Sequence, residues 1–194
     1  MAQGFQTAVY PALSPGVEGD FCDHNPRATV DAGPGALVAG TAGVVVGRFC
    51  WFDPNAANVD VNGAPNIVNN TGGAGIPVAG FVHREQQGLI TNYLGGTSML
   101  VPGGFPVTVF KAGGFFVKNS GAGANTLGMK AMATLADGTV QFAAAGSPPA
   151  GTVETKWIAV SVGAPEGSTT SLSLPLPSKT VSRLRNCCRS PTAW

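Results

Sequence analysis

The 194-residue chain holds 28 glycines and 15 prolines, yet only 11% of it is charged and its formal net charge is +1. Gly and Pro both destabilise a helix interior, so a fold built on long helices is excluded. So little charge excludes a solvated disordered chain, and it gives nothing that would draw the whole molecule to nucleic acid or to an anionic membrane.

What remains is a series of short apolar strands cut apart by tight turns. Val (21) outnumbers Leu (11) and Phe (10) outnumbers Ile (4), a bias toward pleated sheet. The length suits one domain with a core that needs no covalent staples. No run of about 18 apolar residues is present, so no membrane span is expected. The opening MAQGFQTAVYPAL lacks a basic stretch followed by an apolar one, so no signal peptide is expected and the chain reads as made in a reducing cytoplasm. Cys22 and Cys50 stand alone, Cys187 and Cys188 are adjacent, and their spacings match no zinc pattern. Free thiols are therefore expected.

In chain order, residues 1–34 read as an extended N-terminal arm, broken by Pro11, Pro15, Pro26 and Pro34. Val44–Phe52 reads as one strand, and Asp53–Gly75, rich in Asn, Gly and Ala, as a loop. Ile76–His83 and Leu89–Leu94 read as further strands. Phe105–Lys111 and Phe115–Lys118 read as two strands joined by a tight turn at Gly113-Gly114. The strongest local signal is Ala136-Asp137-Gly138 between two β-prone runs, which predicts a hairpin. Val153–Val162 alternates like a half-buried strand. Roughly seven or eight strands result, and the fold class is all-β: a single β-barrel or jelly-roll-like β-sandwich over residues 35–166. After Glu166 the chain turns polar and Pro-broken, then basic at Lys179, Arg183, Arg185 and Arg189, with no acid. Residues 167–194 read as a C-terminal arm outside the core.

Groups able to do chemistry are sparse. Asp20, Cys22, Asp23 and His24 lie close together, but one Cys and one His two residues apart fall short of a closed ligand set. A polar turn with a buried thiol is expected there, and no metal. His83-Arg84-Glu85 is the densest charged triplet. In a strand His83 and Glu85 share a face, yet no nucleophile accompanies them, so a salt-linked strand end or a subunit contact is expected. No phosphate-binding loop, nucleophile elbow or zinc-protease motif is present. The chain reads as a non-enzyme with no cofactor. Trp51, Trp157 and Tyr93 leave open a carbohydrate- or receptor-binding β-module, against ordinary core packing of the same residues.

A colinear set of short segments carries a resemblance. Val17-Glu18-Gly19-Asp20-Phe21 is followed by Asn25-Pro26-Arg27-Ala28-Thr29-Val30, then by Gly33–Gly40 and Val46-Gly47-Arg48-Phe49. Ala79–Glu85, Gly104–Val107, Phe116–Asn119 and Leu135–Thr139 continue it. Together they resemble the structural cement proteins of tailed bacteriophages over about residues 5–162. The resemblance implies an accessory protein on the outer capsid surface of the virion, clamped to the major capsid protein and to copies of itself as a dimer or trimer. It implies no catalysis and no cofactor, and the low net charge and lack of an apolar span add no specific nucleic acid and no membrane to the expected partners. Phe21, Asn25, Arg27, His83, Arg84 and Glu85 are the candidate interface residues, because polar or aromatic groups in apolar, Gly-rich surroundings usually answer to a partner; packing of the same residues within the chain is the alternative.

Overall fold

The β-branched and aromatic runs all fold as strands. The structure, a computed structural model, describes residues 16–32, 36–54, 66–73, 75–85, 99–163 and 169–174, and these contain no helix. Twelve strands follow in chain order: β1 (Ala28–Thr29), β2 (Val38–Ala39), β3 (Val44–Val45), β4 (Phe49–Phe52), β5 (Ile67–Asn69), β6 (Gly80–Val82), β7 (Leu100–Val101), β8 (Val109–Lys118), β9 (Lys130–Thr134), β10 (Val140–Ala143), β11 (Thr152–Ala159) and β12 (Thr169–Leu174). One large sheet runs β10-β9-β11-β12-β8-β6-β4-β5-β2, β1 adds to β8, and β3 pairs with β7 separately.

The sheet curls at both ends. Just beyond β8, Asn119 bridges Val140 of β10, and Ser120 N–H donates to Val140 O at 2.8 Å. The run β10-β9-β11-β12-β8 thus returns on itself. At the other end Val107 N–H donates to Leu37 O (2.8 Å) and Ala39 N–H to Phe105 O (2.9 Å). The segment leading into β8 therefore joins β2, and β8-β6-β4-β5-β2 closes in the same way. Two barrel-like lobes share the ten-residue β8, which leaves few open edges. One core is aliphatic, with Val44, Val46, Val68, Val82 and Val109 around Cys50. The other is aromatic, with Phe49, Phe81, Phe115 and Trp157 around Leu172.

The hairpin at Asp137-Gly138 forms as expected. Val140 faces Ala133, Gly138 takes φ +73°, and its N–H donates to Thr134 O at 2.8 Å. Asp137 keeps a negative φ, so the connection is a four-residue loop closed by the glycine alone. Arg48 grips this tip through Asp137 (Nη1 to Oδ2, 3.2 Å), and Phe49 N–H donates to Gly138 O at 2.9 Å.

Four expectations are corrected. Gly113-Gly114 makes no turn: β8 runs straight through the pair. Both glycines are there for closeness, since a Cβ on Gly114 would run into the Asp23 carboxylate and one on Gly113 would meet Arg27 Cγ at 3.2 Å. Val44–Phe52 is two strands, broken where Gly47 takes φ +76°. The loop expected over Asp53–Gly75 contains β5. Residues 169–174, assigned above to an outlying arm, are the strand between β8 and β11, and Thr170 and Leu172 are fully buried. Alternate Thr170 and Leu172 point inward while Ser171 and Ser173 stay half-exposed, which is the period of a strand covered on one face. The strand expected at Leu89–Leu94 and the basic residues after Ser178 lie outside the described residues.

Candidate functional site

The described part of the N-terminal segment, residues 16–32, straddles β8 like a strap. On one edge Gly19 N–H donates to Phe116 O (2.8 Å), Phe116 N–H to Asp20 O (2.8 Å) and Cys22 N–H to Gly114 O (3.1 Å). On the opposite edge β1 takes over, with Val30 N–H donating to Val109 O at 2.8 Å. In between, Asp23–Arg27 crosses the strand where Gly113 and Gly114 offer no side chain to obstruct it. The segment is extended as its prolines suggest, but it lies docked on its own body.

Phe21 fixes the strap. His83 stacks on its ring, with centroids 4.0 Å apart and planes 20° apart, and Arg27 Cζ lies 3.5 Å from the same centroid. Two planar groups this close to one ring cannot share a face, so Phe21 is sandwiched between a guanidinium and an imidazole. Phe110 and Phe115 close around its edge at 5.5 and 5.2 Å. Three of the candidate residues, from two distant stretches of sequence, thus form one unit. Arg27 Nη2 donates to Asp23 O. The Asp23 carboxylate accepts Asn25 N–H (3.1 Å) and Asn25 Nδ2–H (3.0 Å), which shapes the crossing turn.

Arg84 ties the other side of the strap. Its N–H donates to Gly19 O (3.0 Å) and its Nη1 lies 3.6 Å from Asp20 Oδ2. Glu85 is half-exposed and acts on His83 only through its charge. Burial lowers the His83 pKa below its ordinary value. The carboxylates of Glu85 and Asp20 oppose that shift, and Arg27 adds to it. Burial raises the pKa of Glu18, whose side chain packs over Gly47, against the opposing charges of Arg48 and Lys118. Asn25 is exposed together with His24 and Pro26, so the crossing turn presents polar groups outward from an aromatic base.

Several contributors carried no local signal. Asp20 and Asp23, expected only in a polar turn, hold the strap through Arg84 and Asn25. Asn70 is buried and pins the β3–β4 turn: it accepts Val45 N–H at 2.6 Å and donates to Phe49 O at 3.0 Å. Asn125 is buried within the loop between β8 and β9, donating to Ser161 O (2.7 Å) and accepting from Thr170 Oγ1 (2.9 Å).

Residues 5–174 match the family model of the XM1 gp53 minor capsid protein. The chain belongs to that family. A chain of the solved capsid of Myoviridae phage XM1 is similar in fold, with a TM-score of 0.60 and 16% sequence identity over 89% of this chain and 98% of that one. No curated protein matches. The family match spans the strap, both lobes and β12, so the strap belongs to the capsid-protein fold. It also runs beyond the segments that carried the sequence resemblance and takes in Thr169–Leu174. The aromatic residues considered as sugar platforms fit the capsid assignment better. Trp51 and Trp157 are 1% and 3% exposed, inside the body of this minor capsid protein, and neither can stack on a glycan. Tyr93 lies outside the described residues.

Proposed function

We propose that this minor capsid protein acts as a cement. It attaches to the outer surface of the shell in many copies and bridges neighbouring major capsid protein subunits, with further contacts between its own copies as dimers or trimers. The observation that carries the reading is the strap. A segment bonded to both edges of β8 and clamped through Phe21 gives a rigid base, and its exposed turn offers Asn25 and His24 to a partner. Asn25 and Glu85 are the groups proposed to reach the neighbour, while Phe21, Arg27, His83 and Arg84 hold them in place. Many modest contacts acting together give durable attachment without one tight site.

The test is shell stability. Shells carrying the protein should resist heating better than shells stripped of it, and adding back the full chain should restore the difference. The same chain without residues 1–30 should attach more weakly. Equal resistance of stripped and decorated shells would refute bridging, and undiminished attachment of the truncated chain would refute the role of the strap.

A further inference from the structure

β12 fills the space between β8 and β11 over only part of their length. Its register pairs Ala159 with Leu172 and Ile158 with Ser173. Val160 N–H donates to Ser171 O at 3.0 Å, so the even-numbered residues of β11 are those whose backbone groups turn toward this edge. The described pairing of β11 with β12 ends at Ile158. The facing edge of β8 is already occupied, because β1 sets Ala28 opposite Ala112. Among the described residues, β11 keeps an unpaired edge at Glu154 and Lys156.

A cleft of about 320 Å³ opens at this place, between Val153–Trp157 on one side and Pro77–Gly80 and Lys111 on the other. Lys111 and Lys156 are exposed, and neither forms an ion pair with a described acid. The one carboxylate in the cleft is turned aside: Glu154 Oε2 accepts Gly146 N–H at 2.7 Å from the loop after β10. An open strand edge flanked by two unneutralised ammonium groups fits an extended chain that carries carboxylates. The chain's own ends lack that chemistry. Residues 1–17 contain no charged side chain, and residues 179–194 contain four basic ones and no acid.

We infer that this cleft receives an extended acidic segment of another capsid component, added to β11 as a strand. The inference rests on the cement reading, and it supplies a contact separate from the strap.

The test uses the full chain in particles. A photoreactive benzoylphenylalanine in place of Lys156 should cross-link, on irradiation, to one acidic stretch of a different virion protein, identified by peptide mass spectrometry. The double variant Lys111→Glu/Lys156→Glu should melt like the parent, since both side chains are exposed, and should occupy particles about tenfold less at low salt. Cross-links confined to this chain or its copies, cross-links to a stretch without acids, or undiminished occupancy of the double variant would each overturn the cleft. If the parent occupies particles normally while the double variant does too, only the cleft falls. If the parent itself is missing from particles, the cement reading falls with it.

Discussion

Phe21→Ala removes the side chain that holds the strap to the body. The ring has four partners: His83 at 4.0 Å, Phe115 at 5.2 Å, Phe110 at 5.5 Å and the Arg27 guanidinium at 3.5 Å. A fully buried Phe loses about 3–5 kcal/mol on truncation to Ala, and this ring is half-buried, so the packing share is about 2 kcal/mol. Loss of the imidazole stack and of the cation–π contact adds about 1 kcal/mol. The expected destabilisation is about 3 kcal/mol. Urea unfolding of the full chain, followed by fluorescence of the buried Trp51 and Trp157, measures it as a lower midpoint at unchanged slope. Phe21→Leu keeps most of the buried area but not the stack, and should lose about 1 kcal/mol. A loss below about 0.5 kcal/mol for the Ala variant would refute the clamp. Equal losses for Ala and Leu would refute the division between packing and stacking.

Three further outcomes follow from the same contacts. Leu172→Ala should cost about 3 kcal/mol, because the side chain is fully buried in the aromatic core, and a chain ended at Glu166 should fail to fold. Melting of the shortened chain at the parent temperature would restore the view of 167–194 as an appendage. The His83 pKa lies below 6.5 in the folded state, so the folded protein binds fewer protons there than the unfolded chain. Stability should hold above that value and fall as pH drops through it, whereas Glu18, raised above 4.5 by burial, works in the opposite direction. His83→Phe should flatten the fall between about pH 7 and pH 5.5, and identical pH profiles for parent and variant would refute the assignment. Burial pushes the Cys50 thiol up to about 12, and that of half-buried Cys22 also upward. An alkylating reagent at about pH 8 should label Cys22 slowly and Cys50 only after unfolding. Rapid native labelling of Cys50, read by peptide mapping, would contradict its place in the core.

Where the sequence was legible, a local cause sufficed. Asp137-Gly138 folds as a hairpin tip because Gly138 alone can take the left-handed conformation that the loop requires. Val153–Val162 and Met129–Phe142 show strand periodicity because one face of each is covered by the lobe they enclose. Gly113-Gly114 was misread because a turn and a close crossing put the same demand on side-chain size. What separates them is Asp23, about ninety residues earlier in the chain. The strand at Thr169–Leu174 was hidden by its serines and the prolines behind it, although the alternation of Thr170 and Leu172 with Ser171 and Ser173 was already in place. The buried amides of Asn70 and Asn125 pin loops through partners far away in sequence, so their composition reads as surface.

The candidate site was half legible. Phe21, Arg27 and His83 stood out as aromatic or charged groups in Gly-rich surroundings, and they converge on one another. Their first partner is this chain itself, as an intramolecular clamp. Arg84 also has an internal partner in Asp20, which leaves Asn25 and Glu85 at the periphery of the cluster. The cleft beside β11 had no local signature at all. It is assembled from Pro77–Gly80, Lys111 and Val153–Trp157, three stretches far apart in the sequence.

The most direct measurement of the central claim is the number of copies per purified particle, by quantitative peptide mass spectrometry against the major capsid protein. A cement that bridges shell subunits should be present in on the order of hundreds of copies, in a simple ratio to the shell protein. A handful of copies per particle, or none, would contradict it.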